Sequence, residues 1–169
     1  MGFDEHISRW QPFFTTVAAV AATLVGLLFV SLSINREKMV ADSHCVLMRL
    51  ARRTFSDFLL VLLIALFFLI PEQGRLALTV ELFALAVLRL RWLMAQIKSP
   101  APDGQKPAAM DLVREYLLPA LTVLGLVVSG IGIFHGNILA IYWFIVPVIA
   151  TLLSLASWNA WLLLILENK

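Results

Sequence analysis

From Trp10 to Asn35 the chain carries no charged side chain. An α-helix rises about 1.5 Å per residue and a bilayer core is about 30 Å thick, so about 20 such residues suffice to cross it. Residues 12–34 meet that length, with Pro12 suited to a first helical position and Asn35, Arg36, Glu37 and Lys38 placed to stop the helix. Composition agrees. Of 169 residues, 61% are hydrophobic and 14% charged, whereas soluble domains carry about a quarter charged residues. The fold class expected is therefore all-α, a polytopic transmembrane helical bundle forming one domain over residues 1–169.

Four further runs qualify as spans: residues 54–70, ending before Pro71; 76–96, interrupted by Glu81, Arg89 and Arg91; 117–134; and 138–166, which follows the turn His135, Gly136, Asn137. Charge placement supports counting all five. Cytoplasmic loops accumulate Lys and Arg. With the N-terminus outside, the inner side receives Arg36, Lys38, Arg49, Arg52, Arg53, Arg89, Arg91, Lys98, Lys106, Arg114 and Lys169, against Arg9 and Arg75 outside, a ratio of eleven to two. Trp and Tyr favour the headgroup levels. Trp10, Tyr142 and Trp143 then fall at the outer level, and Trp92, Tyr116, Trp158 and Trp161 at the inner. Arg89 and Arg91 are expected to snorkel to the inner headgroups. Residues 98–111, rich in Pro and Ala, read as a flexible cytoplasmic linker, with Asp111 placed to cap the next helix. Residues 39–53 set Val40, Val46, Leu47 and Leu50 against Arg49, Arg52 and Arg53, an amphipathic segment that lies on the inner leaflet or extends the second span.

The first span carries a stripe. Pro12, Thr16, Ala19, Thr23, Gly26, Val30 and Ser33 recur at alternating steps of four and three, placing small or hydroxyl side chains on one helix face. Such a stripe admits close approach of another helix, the commoner use, or lines an aqueous path when copies surround an axis. Its near-heptad period favours a left-handed crossing. Gly125 and Ser129, then Gly132 and Gly136, give the fourth span a similar small face, read chiefly as helix packing.

Glu81 is the acidic residue deepest in an expected span and the candidate ion or proton site, with Arg75 as the nearest outer base. Asp57 follows Arg53 by one turn, so the two can pair on one face or line a cytoplasmic entrance. Asn159 is placed to bond across a helix interface. Pro147, inside the fifth span, is the candidate hinge. Catalytic chemistry has no visible carrier, since HExxH, GxSxG and P-loop motifs are missing. Cys45 is the only cysteine and the histidines are His6, His44 and His135, in separate regions; neither a metal nor another cofactor is expected, and no nucleic-acid motif appears.

The stretch FFTTVAAVAATLVGLLFVSLSIN at 13–35 resembles the first helix of a group of small bacterial multipass proteins, and the likeness extends to IPEQG at 70–74, VELFAL at 80–85 and WNAWLLLILE at 158–167. The resemblance implies a bacterial inner-membrane location and the five-span layout, and carries no activity. The leading expectation for function is a homo-oligomeric ion channel or pore, with the stripe near its axis and Glu81 in an outer cation site. The alternative is a non-conducting regulatory or assembly subunit that binds a larger membrane protein. The partners expected are the lipid bilayer, further copies of the chain and, in the alternative, another membrane protein. Topology is testable at the third span. A membrane-impermeant thiol reagent applied to intact cells should label Arg75→Cys in a Cys45→Ala background; protection from outside would overturn the layout.

Overall fold

The computed structural model describes residues 3–34, 46–98, 113–137 and 139–167. Among the described residues all regular structure is helical, as the apolar runs require. The order is α1 (Phe3–Ile34), α2 (Val46–Leu69), α3 (Arg75–Lys98), a wide π-turn at Val113–Leu117 leading into α4 (Leu118–Phe134), and a second π-turn at Ile141–Ile145 leading into α5 (Val146–Glu167). Two helical stretches, Ile7–Ile34 with 28 residues and Ile141–Leu163 with 23, are long and apolar enough to cross a membrane. The 17 residues of α4 are apolar but shorter. Helices α2 and α3 have 24 residues each, but Arg52, Arg53 and Asp57 interrupt the first and Glu81, Arg89 and Arg91 the second.

Several boundaries move. α1 begins at Phe3, so Pro12 lies inside the helix rather than at its start. Its ring nitrogen has no hydrogen to offer the carbonyl of Ser8, yet one missing bond in a helix this long does not end it. Residues 46–53 are the first turns of α2, so the described half of the amphipathic segment extends the second helix; residues 35–45 lie outside the described set. Lys98 closes α3, while the remainder of the expected linker, with Asp111, and Ile138 also lie outside it. Just before Pro147, the candidate hinge, lies the π-turn, closed by the Val146 N–H donating to the Ile141 carbonyl. A wide turn brings in a longer-range donor where Pro147 has none to give.

The two short turns have local causes. After Pro71, Glu72 adopts the left-handed region at φ 56°, and the Gly74 carbonyl accepts from Leu78 N at 3.2 Å to begin α3. α4 ends in a Schellman arrangement: Gly136, at φ 74°, donates to the Ile133 carbonyl at 2.9 Å, and Asn137 donates to the Gly132 carbonyl at 2.8 Å. The Asn137 side chain then caps the next helix, its Oδ1 accepting from Leu139 N at 3.1 Å. One residue thus closes one helix through its backbone and opens the next through its side chain.

The chain divides into two compact units, with the boundaries falling inside α1 at Pro12 and inside α5 after Thr151. The unit built on Ile70–Thr151 packs α3 against α4 in opposite directions. The Thr79 hydroxyl lies 2.8 Å from the Arg75 carbonyl and 3.4 Å from that of Gly130, and the Phe83 ring covers Gly130. α4 meets the start of α5 where Gly125 faces Val148 and Gly132 faces Ala140, again antiparallel. Trp10, which belongs to this unit, meets Tyr142 edge-on at 6.1 Å.

In the unit built on Pro12–Leu69 and the chain from Leu152 onward, Phe14 of α1 stacks on Phe68 of α2 at 4.2 Å. At the other end Leu28, Ala51, Phe58, Ala156 and Leu163 form one buried cluster. The start of α1 therefore lies by the end of α2, and the two helices are antiparallel, with the last turns of α5 beside the start of α2.

The Gly136 turn gives a quantitative expectation. A Cβ there would be strained at positive φ and would meet the Arg75 guanidinium. Gly136→Ala should lower unfolding stability in detergent by about 1–2 kcal/mol; an unchanged midpoint would contradict the geometry.

Candidate functional site

The inward seam of α1 is Phe14, Val17, Ala21 and Leu28, all buried. These positions step by three, four and seven, a heptad-like period matching that of the small stripe on the other side of the helix. The stripe itself, from Pro12 through Thr16, Ala19, Thr23, Gly26 and Val30 to Ser33, is exposed throughout. Packing of this face inside the chain, the commoner use of such a stripe, is therefore not what the structure shows. The inward seam is occupied by larger apolar residues that bury more surface, which leaves the smaller side chains outside.

Chemically the stripe is quiet. Thr16 donates to the Pro12 carbonyl at 2.9 Å, Thr23 to Ala19 at 2.8 Å and Ser33 to Phe29 at 2.8 Å. Each hydroxyl proton is satisfied one turn back on its own helix, so apolar surroundings leave no donor stranded. A Cβ added at Gly26 would touch nothing within 4 Å. Leu27, Phe29 and Val30, at 62%, 65% and 54% exposed, surround it with apolar surface.

The small face of α4 has the opposite fate. Gly125 and Gly132 admit Val148 and Ala140, and Ser129 is buried with its hydroxyl donating to the Gly125 carbonyl at 2.6 Å. That face is used for packing within its unit.

Glu81 is half-buried and accepts a hydrogen bond from the Gln73 side-chain amide. Sequence reasoning did not single out Gln73. The two are eight residues apart across a turn, a separation no helical periodicity flags, although Gln73 belongs to the IPEQG turn. The Arg75 guanidinium lies against Gly136.

The basic and acidic residues at the other ends of α2 and α3 are more enclosed than their sequence context implied. Asp57 is 0% exposed and Arg53 half-buried, one turn apart on the inward face of α2. Asp57 is thus a core group and does not line an open entrance. Arg89, expected to reach the headgroups, is 4% exposed, while Arg91 is exposed. The reason is register: Leu82, Leu85, Ala86, Arg89 and Leu93 share the buried face of α3, and spacing rather than charge decides which way position 89 points.

Asn159 is 7% exposed, and among the described residues its Nδ2 has no hydrogen-bond partner, so the donation expected of it across a helix interface is not seen there. The other buried residues of α5 are apolar. Pro147 is exposed. His135 is exposed and sits edge-on to Phe134 at 5.5 Å, while His44 and Cys45 lie outside the described residues, as does the side chain of His6. Among the described residues no three His, Cys, Asp or Glu side chains are grouped to hold a metal ion.

Comparison with protein-family models, curated proteins and solved structures gives no match to this chain. The candidate surfaces therefore rest on geometry, and their two glycine faces predict opposite behaviour. Gly132→Val places a branched side chain against Ala140 and should cost about 1–3 kcal/mol of stability. Gly26→Val enters open space and should leave the unfolding midpoint of the isolated chain within about 0.5 kcal/mol of wild type. Equal effects of the two substitutions would contradict the assignment of inner and outer faces.

Proposed function

We propose that the protein is a non-catalytic assembly subunit of the bacterial inner membrane, and that it docks a transmembrane helix of another subunit along the outward face of α1. The observation that carries this reading is the exposure of the whole stripe from Thr16 to Ser33 together with the return of its hydroxyl protons to the backbone. A face of this kind lets two backbones approach closely in lipid at no cost in unmet hydrogen bonds. It is poorer as a water path, because the donors that would order water are already used.

The same proposal has all five helices crossing the bilayer, with the N-terminus outside and the C-terminus in the cytoplasm. Several observations support it. Within each unit, helices that follow one another in the chain run antiparallel, as alternating spans must. Trp10 and Tyr142, both assigned to the outer level by sequence, touch. The charges that make α2 and α3 poor spans by composition include Asp57 and Arg89, which are turned inward, and Glu81, which holds Gln73. Ionisable groups in membrane helices characteristically face the bundle interior and carry partners.

Cysteine crosslinking in native membranes tests the docking. In a Cys45→Ala background, Thr23→Cys and Gly26→Cys should crosslink to a second polypeptide, and Gly26→Val should lower the yield at Thr23→Cys severalfold. A chain that stays monomeric in mild detergent and crosslinks from neither position would sink the proposal.

The Glu81 carboxylate with its Gln73 partner favours a second reading, a homo-oligomeric cation channel with Glu81 as its outer site. Purified protein in liposomes should then pass ions, and Glu81→Gln should change the flux. Flux no greater than in empty vesicles, over varied ions and voltage, removes that reading.

A further inference from the structure

The outward face of α2 changes character along its length. Arg49, Arg52, Ser56, Leu59, Leu63 and Leu66 step by three, four, three, four and three residues, so they share one side of the helix. None of them is buried, and Arg49, Arg52 and Leu66 are exposed. Ala51, Phe58 and Ala65 lie on the opposite side and are buried. The outward face is thus a pair of guanidinium groups followed by an apolar strip.

Each part of this face suits a different surrounding. Guanidinium groups three residues apart are neighbours on a helix, and Arg binds phosphate oxygens through two parallel N–H donors. No carboxylate of α2 answers them from this side, because Asp57, the one acidic residue of the helix, is buried on the inward face. Ser56 gives its hydroxyl proton to the Arg52 carbonyl at 2.8 Å. Beyond it, Leu59, Leu63 and Leu66 suit hydrocarbon. Leu66 lies ten residues past Ser56, a rise of about 15 Å, and one leaflet of a bilayer core about 30 Å thick has that depth.

An anionic phospholipid joins both parts at this spacing. Free phosphate would leave the leucines uncovered, and an apolar helix would leave the guanidinium groups without an anion. The level agrees as well. Ala51 shares its buried cluster with Ala156 and Leu163 of α5, between which lie the exposed Trp158 and Trp161, and tryptophan favours the headgroup level. We propose that this face of α2 binds an anionic phospholipid of the inner leaflet, its phosphate held by Arg49 and Arg52 and one acyl chain laid along Leu59, Leu63 and Leu66. The site rests on the proposed layout, in which α2 crosses the bilayer from the cytoplasmic side, and is separate from the docking face on α1.

Photocrosslinking of the full-length protein in reconstituted bilayers tests it, with phosphatidylglycerol carrying a photoreactive group on an acyl chain. Peptide mass spectrometry should find adducts on residues 59–66 severalfold above those from phosphatidylcholine with the same chain. Arg49→Gln with Arg52→Gln should lower the phosphatidylglycerol adducts there severalfold, whereas Arg91→Gln, which removes an exposed charge from α3, should leave them unchanged. Equal labelling by the two lipids overturns the proposal, as does labelling indifferent to the double substitution or equally lowered by Arg91→Gln. The two-lipid comparison on the wild type decides the matter if the double variant does not fold. Protection of Arg75→Cys from the outside thiol reagent would overturn the layout itself, and that readout is independent of the lipid preference.

Discussion

A backbone among apolar side chains has almost nowhere to place its amides and carbonyls except in its own helices, and the rest of this structure depends on that constraint. It explains why α1 continues through Pro12 rather than starting there, since a helix with one missing bond still satisfies far more groups than an unwound turn would. The wide turn ahead of Pro147 answers the same demand, as does the closure of α4 by Gly136 and Asn137. Even the hydroxyls follow it. Thr16, Thr23, Ser33, Thr54, Ser56, Thr79 and Ser129 all donate to a carbonyl one turn earlier on the same helix.

Hydroxyl groups that are satisfied within a helix free its faces to be sorted by size and shape. α4 turns glycine toward its neighbours in the same unit, and α1 turns phenylalanine, valine and leucine. The two small-residue faces look alike in sequence, yet one is filled and the other exposed, because on α1 a larger apolar seam competes for the interior while on α4 the neighbouring Val148 and Ala140 occupy the space the glycines leave. Burial follows the seam that removes more apolar area from water or lets backbones approach more closely, and local composition does not state which will win.

Helix content and the approximate position of each described helix were legible in the sequence, because long apolar runs bounded by charge or by Pro and Gly admit few other readings. The reversal at His135 to Asn137 was equally plain. Helix starts were less so. Phe3 to Gln11 and Val46 to Arg53 mix polar and apolar residues, and only packing decides that they continue the helices that follow. Of the site residues, the character of the α1 stripe was readable, whereas its outward direction was not. Arg89 was misplaced because its charge was weighed above its spacing with Leu82, Leu85 and Leu93. Gln73 was missed because its bond to Glu81 crosses a turn whose shape depends on the left-handed Glu72.

The Gly136 turn has a meaning beyond geometry. The backbone hydrogen bonds that close it join residues between Ile131 and Ala140, and Arg75 only rests its guanidinium against Gly136. A reversal closed so locally can form as soon as its own residues leave the ribosome. α4 and the start of α5 are thereby able to pair as a helical hairpin, with the order of synthesis rather than the finished bundle setting their pairing.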